Sequence, residues 1–151
     1  MKVTTKWNEK MTFTGSANEH SVRMDTRSPM GSDSAMSPKQ LLLASVSGCT
    51  AMDVVSLLKK FRQPLQSLEM DAEADLTEGS YPSIFKEIHL SFRARGEIEG
   101  AKLLEAVHLS QTKYCGVSAM IAQTVPIRYT VELNQEVIGE GRAHFELPNR
   151  T

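Results

Sequence analysis

The sequence lacks most of the features that mark a function outright. Its 151 residues hold two cysteines, Cys49 and Cys115, too few for a disulfide scaffold. Charge of either sign is not in excess: 17 Lys+Arg stand against 18 Asp+Glu, a formal net charge of −1. Bulk attraction to nucleic acid is thereby excluded as a main binding force. There is no Gly-rich phosphate loop, no Ser nucleophile elbow and no HExxH. The four histidines, His20, His89, His108 and His144, do not fall at metal-ligand spacing with either cysteine. His108 lies seven residues before Cys115 with a helix break expected between them, which argues against zinc. The N-terminal stretch Met1 to Trp7 alternates polar and apolar residues and holds no run of seven or more apolar ones, so the expectation is a cytoplasmic protein with two reduced thiols. Repeats, heptads and low-complexity tracts are missing as well.

What is present is an ordinary globular balance, 40% hydrophobic and 23% charged. A chain of this size buries roughly 68–70% of its unfolded surface, enough for one domain spanning residues 1–151 with a core that needs no staples. Up to about residue 25 the pattern predicts two or three short antiparallel strands, with a turn at Asn8-Glu9-Lys10 and a break at Gly15-Ser16-Ala17-Asn18. From Thr26 to Met36 a polar, broken stretch containing Pro29 reads as a loop, long enough to serve a binding site. Met30 and Met36 are candidates to line an apolar pocket beneath it.

The strongest signal follows. Ser37-Pro38-Lys39-Gln40 supplies an N-cap hydroxyl, a proline at the first helical position and a Gln three residues after the cap. Residues 38 to 62 are expected to be helical, ending in Lys59, Lys60 and Arg62 before Pro64. Such a helix, apolar nearly all round, is either membrane-spanning or central to a fold. Asp53 and the hydroxyls of Ser45, Ser47, Thr50 and Ser56 favour the central position and no membrane. At about 37 Å it exceeds the roughly 26–30 Å width of one such domain, so an intimate homodimer is expected to cover it.

After Pro64 the period switches to two. Leu68, Met70, Ala72, Ala74 and Leu76 share one face of a strand, with Glu69, Asp71, Glu73 and Asp75 on the other. A second strand turns Ile84, Ile88, Leu90, Phe92 and Ala94 inward. The acidic and basic outer faces of this pair read as a solvated surface with cross-strand pairing. Residues 100 to 113 form an amphipathic helix through Leu103, Leu104, Val107 and Tyr114, Val117 to Thr124 a shorter one, and Pro126 ends it. Strands at 127–133 and roughly Val137 to Leu147, joined by an Asn134-Gln135 turn, close the chain. The order is α+β, antiparallel sheets around a long helix, and not a parallel βαβ array.

An isolated cysteine is most often inert packing. At Cys115 that reading weakens, because helix N-terminal amides and Lys113 both favour a thiolate. For Cys49 the signals conflict: Gly48 allows close approach, whereas Asp53 one turn on disfavours negative charge.

The stretch Ser37-Pro38-Lys39-Gln40-Leu41-Leu42-Leu43-Ala44-Ser45-Val46-Ser47-Gly48-Cys49-Thr50-Ala51-Met52-Asp53-Val54-Val55 resembles the central-helix motif of the OsmC/Ohr family, especially its YhfA-like branch. Lys113-Tyr114-Cys115-Gly116-Val117-Ser118 is similar to the family's second cysteine motif, 66 residues on. The resemblance covers essentially the whole chain. It implies an intertwined homodimer with cysteine sites at the subunit interface, and reduction of organic hydroperoxides in oxidative-stress defence. Cys49 would then be the peroxidatic thiolate and Cys115 the resolving thiol. A dithiol would serve as reductant, with no metal or organic cofactor. The sequence departs from the active branches at Lys39-Gln40, where they carry a Glu that holds an Arg over the thiolate. Lys39, Gln40, Arg23 and Arg27 are therefore the candidates for shaping or activating the site. The alternative reading is a non-peroxidase relative that binds a small hydrophobic or thiol-reactive molecule at the dimer interface.

Overall fold

A computed structural model describes residues 1–79 and 81–146. The backbone divides into two compact units, Met1–Ala44 and Ser45–Thr151.

In the first unit β1 (Thr4–Glu9), β2 (Thr12–Ala17) and β3 (His20–Met24) form an antiparallel meander. The strands expected from the alternation are present, but their turns are tighter than the composition suggests. β1 continues through Glu9, with Lys10 taking a left-handed φ of 46°. β2 runs straight through Gly15 to Ala17, and the reversal is made by Asn18, at φ 53°, and Glu19. Gly15 stays in the ladder, opposite Thr5 and Val22.

The loop that follows is organised around Asp25, which is buried. Its carboxylate accepts the backbone N–H groups of Thr26 at 2.7 Å, Ser32 at 3.1 Å and Ser34 at 3.1 Å, and the Ser34 hydroxyl at 2.7 Å. These donors hold the carboxyl at a pKa of about 2, the Ser34 hydroxyl contributing most. Gly31 permits this closure, because a Cβ there would overlap the Thr26 carbonyl oxygen and Asp25 Oδ1. An apolar pocket of about 200 Å³ opens in this unit, and the methionines lining it are Met11 and Met24. This corrects the expectation for Met30 and Met36, which are 69% and 48% exposed.

The long helix, α1 (Pro38–Lys60), begins with the capping box that the sequence announces. The Ser37 N–H donates to Gln40 Oε1 at 2.8 Å and the Gln40 N–H to Ser37 Oγ at 3.3 Å. The helix stops at Lys60 instead of Arg62. Arg62 swings into the left-handed region at φ 57°, its N–H reaching the Lys59 carbonyl at 3.0 Å and the Gln63 N–H the Leu58 carbonyl at 2.9 Å. That pair of bonds is a Schellman closure. By length and composition α1 could cross a membrane: an 18-residue window has mean hydropathy 1.8, and 28% of it is buried in the chain.

The second unit holds a four-stranded sheet in the order β4 (Leu65–Leu76), β5 (Phe85–Gly96), β6 (Ile127–Leu133), β7 (Glu136–Arg142). β4 and β5 pair antiparallel, Leu68 against Ala94 and Ala72 against Leu90. On the outer face Arg93 bridges Asp71 and Glu69, the solvated cross-strand pairing expected of these charges. Ile88, Leu90, Phe92 and Ala94 are buried with Val54 and Leu58 of α1 and Val131 of β6. Ile84 is not among them: it is 51% exposed, ahead of a register irregularity at Ala74/Leu76 that turns Phe85 inward instead.

One pairing differs from the all-antiparallel expectation. β5 and β6 run parallel, Ile88 beside Ile127 and Phe92 beside Val131, so α2 (Gly100–Leu109) and α3 (Gly116–Ile121) form a crossover. The class remains α+β. Between these helices Ser110–Tyr114 widens into a π turn, closed by the Cys115 N–H on the Ser110 carbonyl at 3.0 Å. Tyr114, expected on the apolar face, is 47% exposed as a result. α3 ends at Ile121, short of Thr124. β6 and β7 are joined at Asn134 and Gln135, both with positive φ, the tight hairpin expected there. β7 stops at Arg142; Leu147, placed in this strand by the sequence pattern, lies outside the described residues.

Candidate functional site

Residues 49 and 115 are far apart in the chain and adjacent in space. Cys49 is three turns into α1, where a Val46, Thr50, Val54 stripe faces the core and leaves position 49 at its margin, partly exposed. Cys115 is fully buried at the N-cap of α3. The two thiols are close enough that Cys115 helps to hold the Cys49 thiol up, and both are free.

The first turn of α3 serves each sulfur. Its Val117 amide favours the charged form of Cys49, and its Ser118 N–H donates to Cys115 Sγ at 3.3 Å. The Thr50 hydroxyl adds a second donor to Cys115 Sγ, also at 3.3 Å. Behind Thr50 lies Gln111 from the π turn, whose Nε2 donates to Thr50 Oγ1 at 3.0 Å and to Ser118 Oγ at 3.4 Å. Thr50, Gln111, Cys115 and Ser118 are all inaccessible to solvent. On the Cys49 side, Asp53 accepts the Ser110 hydroxyl at 3.0 Å.

The electrostatics of Cys49 follow from this setting. Burial pushes its thiol up, and Cys115 and the Asp53 carboxylate push in the same direction, against the Val117 amide. Asp53 is itself raised by burial, with the Ser110 hydroxyl opposing. Among the described residues, no three His, Cys, Asp or Glu side chains converge as a metal site.

A model of the OsmC-like protein family matches residues 31–130. The chain belongs to that family. The OsmC-like protein described here is 37% identical to Protein YhfA of Escherichia coli K12 over 135 residues, covering 88% of this chain and 98% of that one. Its fold matches the crystal structure of a hypothetical protein from Aquifex aeolicus at a TM-score of 0.78 and 26% identity, over 97% of each chain. It also matches an organic hydroperoxide resistance protein from Legionella pneumophila at 0.65 and 15% identity, over 87% of this chain and 97% of that one. The last likeness is one of fold.

The other sequence candidates of this OsmC-like protein stand in its first unit. Arg23 is exposed on β3, and Arg27 is exposed in the loop after it. Lys39 and Gln40 occupy the first turn of α1, where the Gln40 side chain is engaged in the cap. Sequence reasoning passed over Thr50, Gln111, Ser110 and Ser118 as functional residues. Thr50 directly follows Cys49 and Ser118 stands three after Cys115, so each lay within a motif. Gln111 carried no signal, because its role depends on the π turn.

Proposed function

We propose that this OsmC-like protein reduces organic hydroperoxides with its cysteine pair, as a cytoplasmic homodimer. The observation that carries the reading is the meeting of two reduced thiols, one partly exposed and one buried, at a single hydrogen-bonded site. Cys49 attacks the peroxide oxygen, giving the alcohol and a sulfenic acid. Cys115 condenses with that sulfenic acid to a disulfide and releases water, and an external dithiol reduces the disulfide. No metal or organic cofactor has a part in these steps. The name of the Legionella protein supports hydroperoxide as the substrate class.

Cys49 needs help to ionise, since burial and Asp53 oppose it. The candidates for that help are Arg23 and Arg27, both exposed. The dimer rests on α1, whose apolar window is only 28% buried within the chain and presents Met52 and Val55 to solvent. A second copy is the occupant that an apolar helix carrying Asp53 and four hydroxyls fits better than lipid.

The raised Cys49 thiol and the apolar pocket at Met11 and Met24 favour one second reading, binding of a small hydrophobic molecule without turnover. One experiment separates the two. The reduced protein receives one equivalent of an organic hydroperoxide or of hydrogen peroxide, followed by intact mass spectrometry and peptide mapping. Loss of two hydrogens with a Cys49–Cys115 link, faster with the organic oxidant, is expected. Survival of both thiols would overturn the peroxidase reading. In the same assay Cys49→Ser abolishes oxidation, and Cys115→Ser leaves an over-oxidisable Cys49.

A further inference from the structure

Cys115 Sγ is the meeting point of a polar network buried in the core. It accepts the Thr50 hydroxyl and the Ser118 N–H, each at 3.3 Å. Thr50 directly follows Cys49 on α1, so the sulfur of Cys115 lies against the residue next to the other cysteine. Thr50 Oγ1 is also 3.3 Å from Ser118 Oγ, and both oxygens receive Gln111 Nε2, at 3.0 Å and 3.4 Å. An amide nitrogen only donates. It therefore occupies a lone pair on each hydroxyl and leaves the Thr50 proton directed to the sulfur. The other end of the same side chain shows what this orientation sacrifices: Gln111 Oε1 is buried with no hydrogen-bond partner. The reverse orientation would set that carbonyl against Thr50 and Ser118 and draw their protons away from Cys115. Thr50, Gln111, Cys115 and Ser118 are all inaccessible to solvent, so bulk water does not replace a partner that is lost.

The geometry points to Thr50 and Gln111 as the positioning residues that set the reduction potential of the Cys49–Cys115 pair and keep its disulfide easy to reopen. This deepens the peroxide-reducing reading and rests on it for the disulfide. In the reduced protein the Cys115 sulfur is free to accept from both donors. Once bonded to Cys49 Sγ, at about 2.05 Å, it carries neither a proton nor a charge and is the poorer acceptor. The Thr50 hydroxyl and the Ser118 amide then face a weakened partner where bulk water does not reach, and that opposes oxidation. The network favours the reduced form, and a protein whose reduced form is stabilised is the stronger oxidant toward an external dithiol. In reopening the pair, the dithiol gives up two electrons and two protons. Its two S–H bonds break and its sulfurs join, while the Cys49–Cys115 bond breaks and each protein sulfur gains a proton.

The test equilibrates the full-length protein at neutral pH with mixtures of reduced and oxidised dithiothreitol, without peroxide, and reads the reduced fraction by alkylation and intact mass. The parent protein is expected to form a Cys49–Cys115 disulfide that Cys49→Ser lacks. In Thr50→Val the ratio of reduced to oxidised protein in a given mixture should fall about three- to tenfold, a tenfold fall being about 30 mV. Thr50→Ser, which keeps the hydroxyl, should hold the parent ratio, separating the hydrogen bond from a packing defect. Gln111→Met should shift the ratio in the same direction. The double variant should go no further than Thr50→Val alone, because Gln111 acts through Thr50. An unmoved or increased ratio in Thr50→Val, or a parent protein with no disulfide in any mixture, overturns the inference, and additive shifts would remove Gln111 from it. A protein that shows these shifts yet is inert to peroxide would sink the functional reading alone.

Discussion

The Ser110 hydroxyl donates to Asp53 Oδ2 at 3.0 Å, fixing a carboxylate one helical turn beyond Cys49. This pair holds a negative charge next to the thiol that must become negative, and burial already opposes ionisation at both positions. Asp53→Asn keeps an acceptor for Ser110 and removes the charge. Its expected effect is a lowered Cys49 thiol and a Cys49 alkylation rate higher by about three- to tenfold near neutral pH. The gain should fade in acid, where Asp53 is protonated in the parent protein. A raised folded-state pKa makes the ionised carboxylate a stability cost as pH rises through it, so the variant should also melt no lower at neutral pH. An unchanged alkylation rate would remove Asp53 from the account.

Gln40 tests the help given to Cys49. Its side chain completes the α1 cap, a task Glu performs equally well, so Gln40→Glu should leave thermal stability unchanged or raise it slightly through the helix dipole. If a carboxylate there recruits Arg23 or Arg27, peroxide consumption should rise several-fold, and Arg23→Ala or Arg27→Ala should cancel the gain. No change in rate would show that a missing carboxylate does not limit this protein.

Asp25 predicts a pH dependence in the first unit. Its pKa of about 2 lies below the usual carboxylate range, so it contributes stability that is present above about pH 4 and lost as pH falls toward 2. Urea unfolding of Asp25→Asn should show a deficit at neutral pH that closes across that window. Gly31→Ala should cost about 1–3 kcal/mol through overpacking against Thr26 and Asp25. A deficit independent of pH would mean that the charge of Asp25 is not what organises the loop.

The exposed face of α1 predicts the assembly. Sedimentation should give twice the 16.7 kDa chain mass. Met52→Glu, on a residue 75% exposed in the single chain, should shift the protein toward monomer at micromolar concentration. A monomeric parent protein, or a dimer indifferent to Met52→Glu and Val55→Glu, would direct attention to another surface or to lipid.

The sequence by itself determined what local chemistry decides. Ser37, Pro38 and Gln40 set the start of α1, because a cap and its partner lie within one turn. The two-residue alternation placed β4 and most of β5, and Asn134-Gln135 placed the last hairpin. The two cysteine motifs were legible as well, and with them the family. Tertiary structure decided the rest, because the partners are distant in sequence. The parallel pairing of β5 with β6 depends on a crossover of some thirty residues, for which a strand pattern carries no sign. Arg62 and Gln63 ended α1 two residues early through bonds from their N–H groups to Lys59 and Leu58 that no residue preference announces. Asp25 became an acceptor for four groups only once the loop closed over Gly31. Gln111 reached Thr50, 61 residues away, because a π turn rotated it inward.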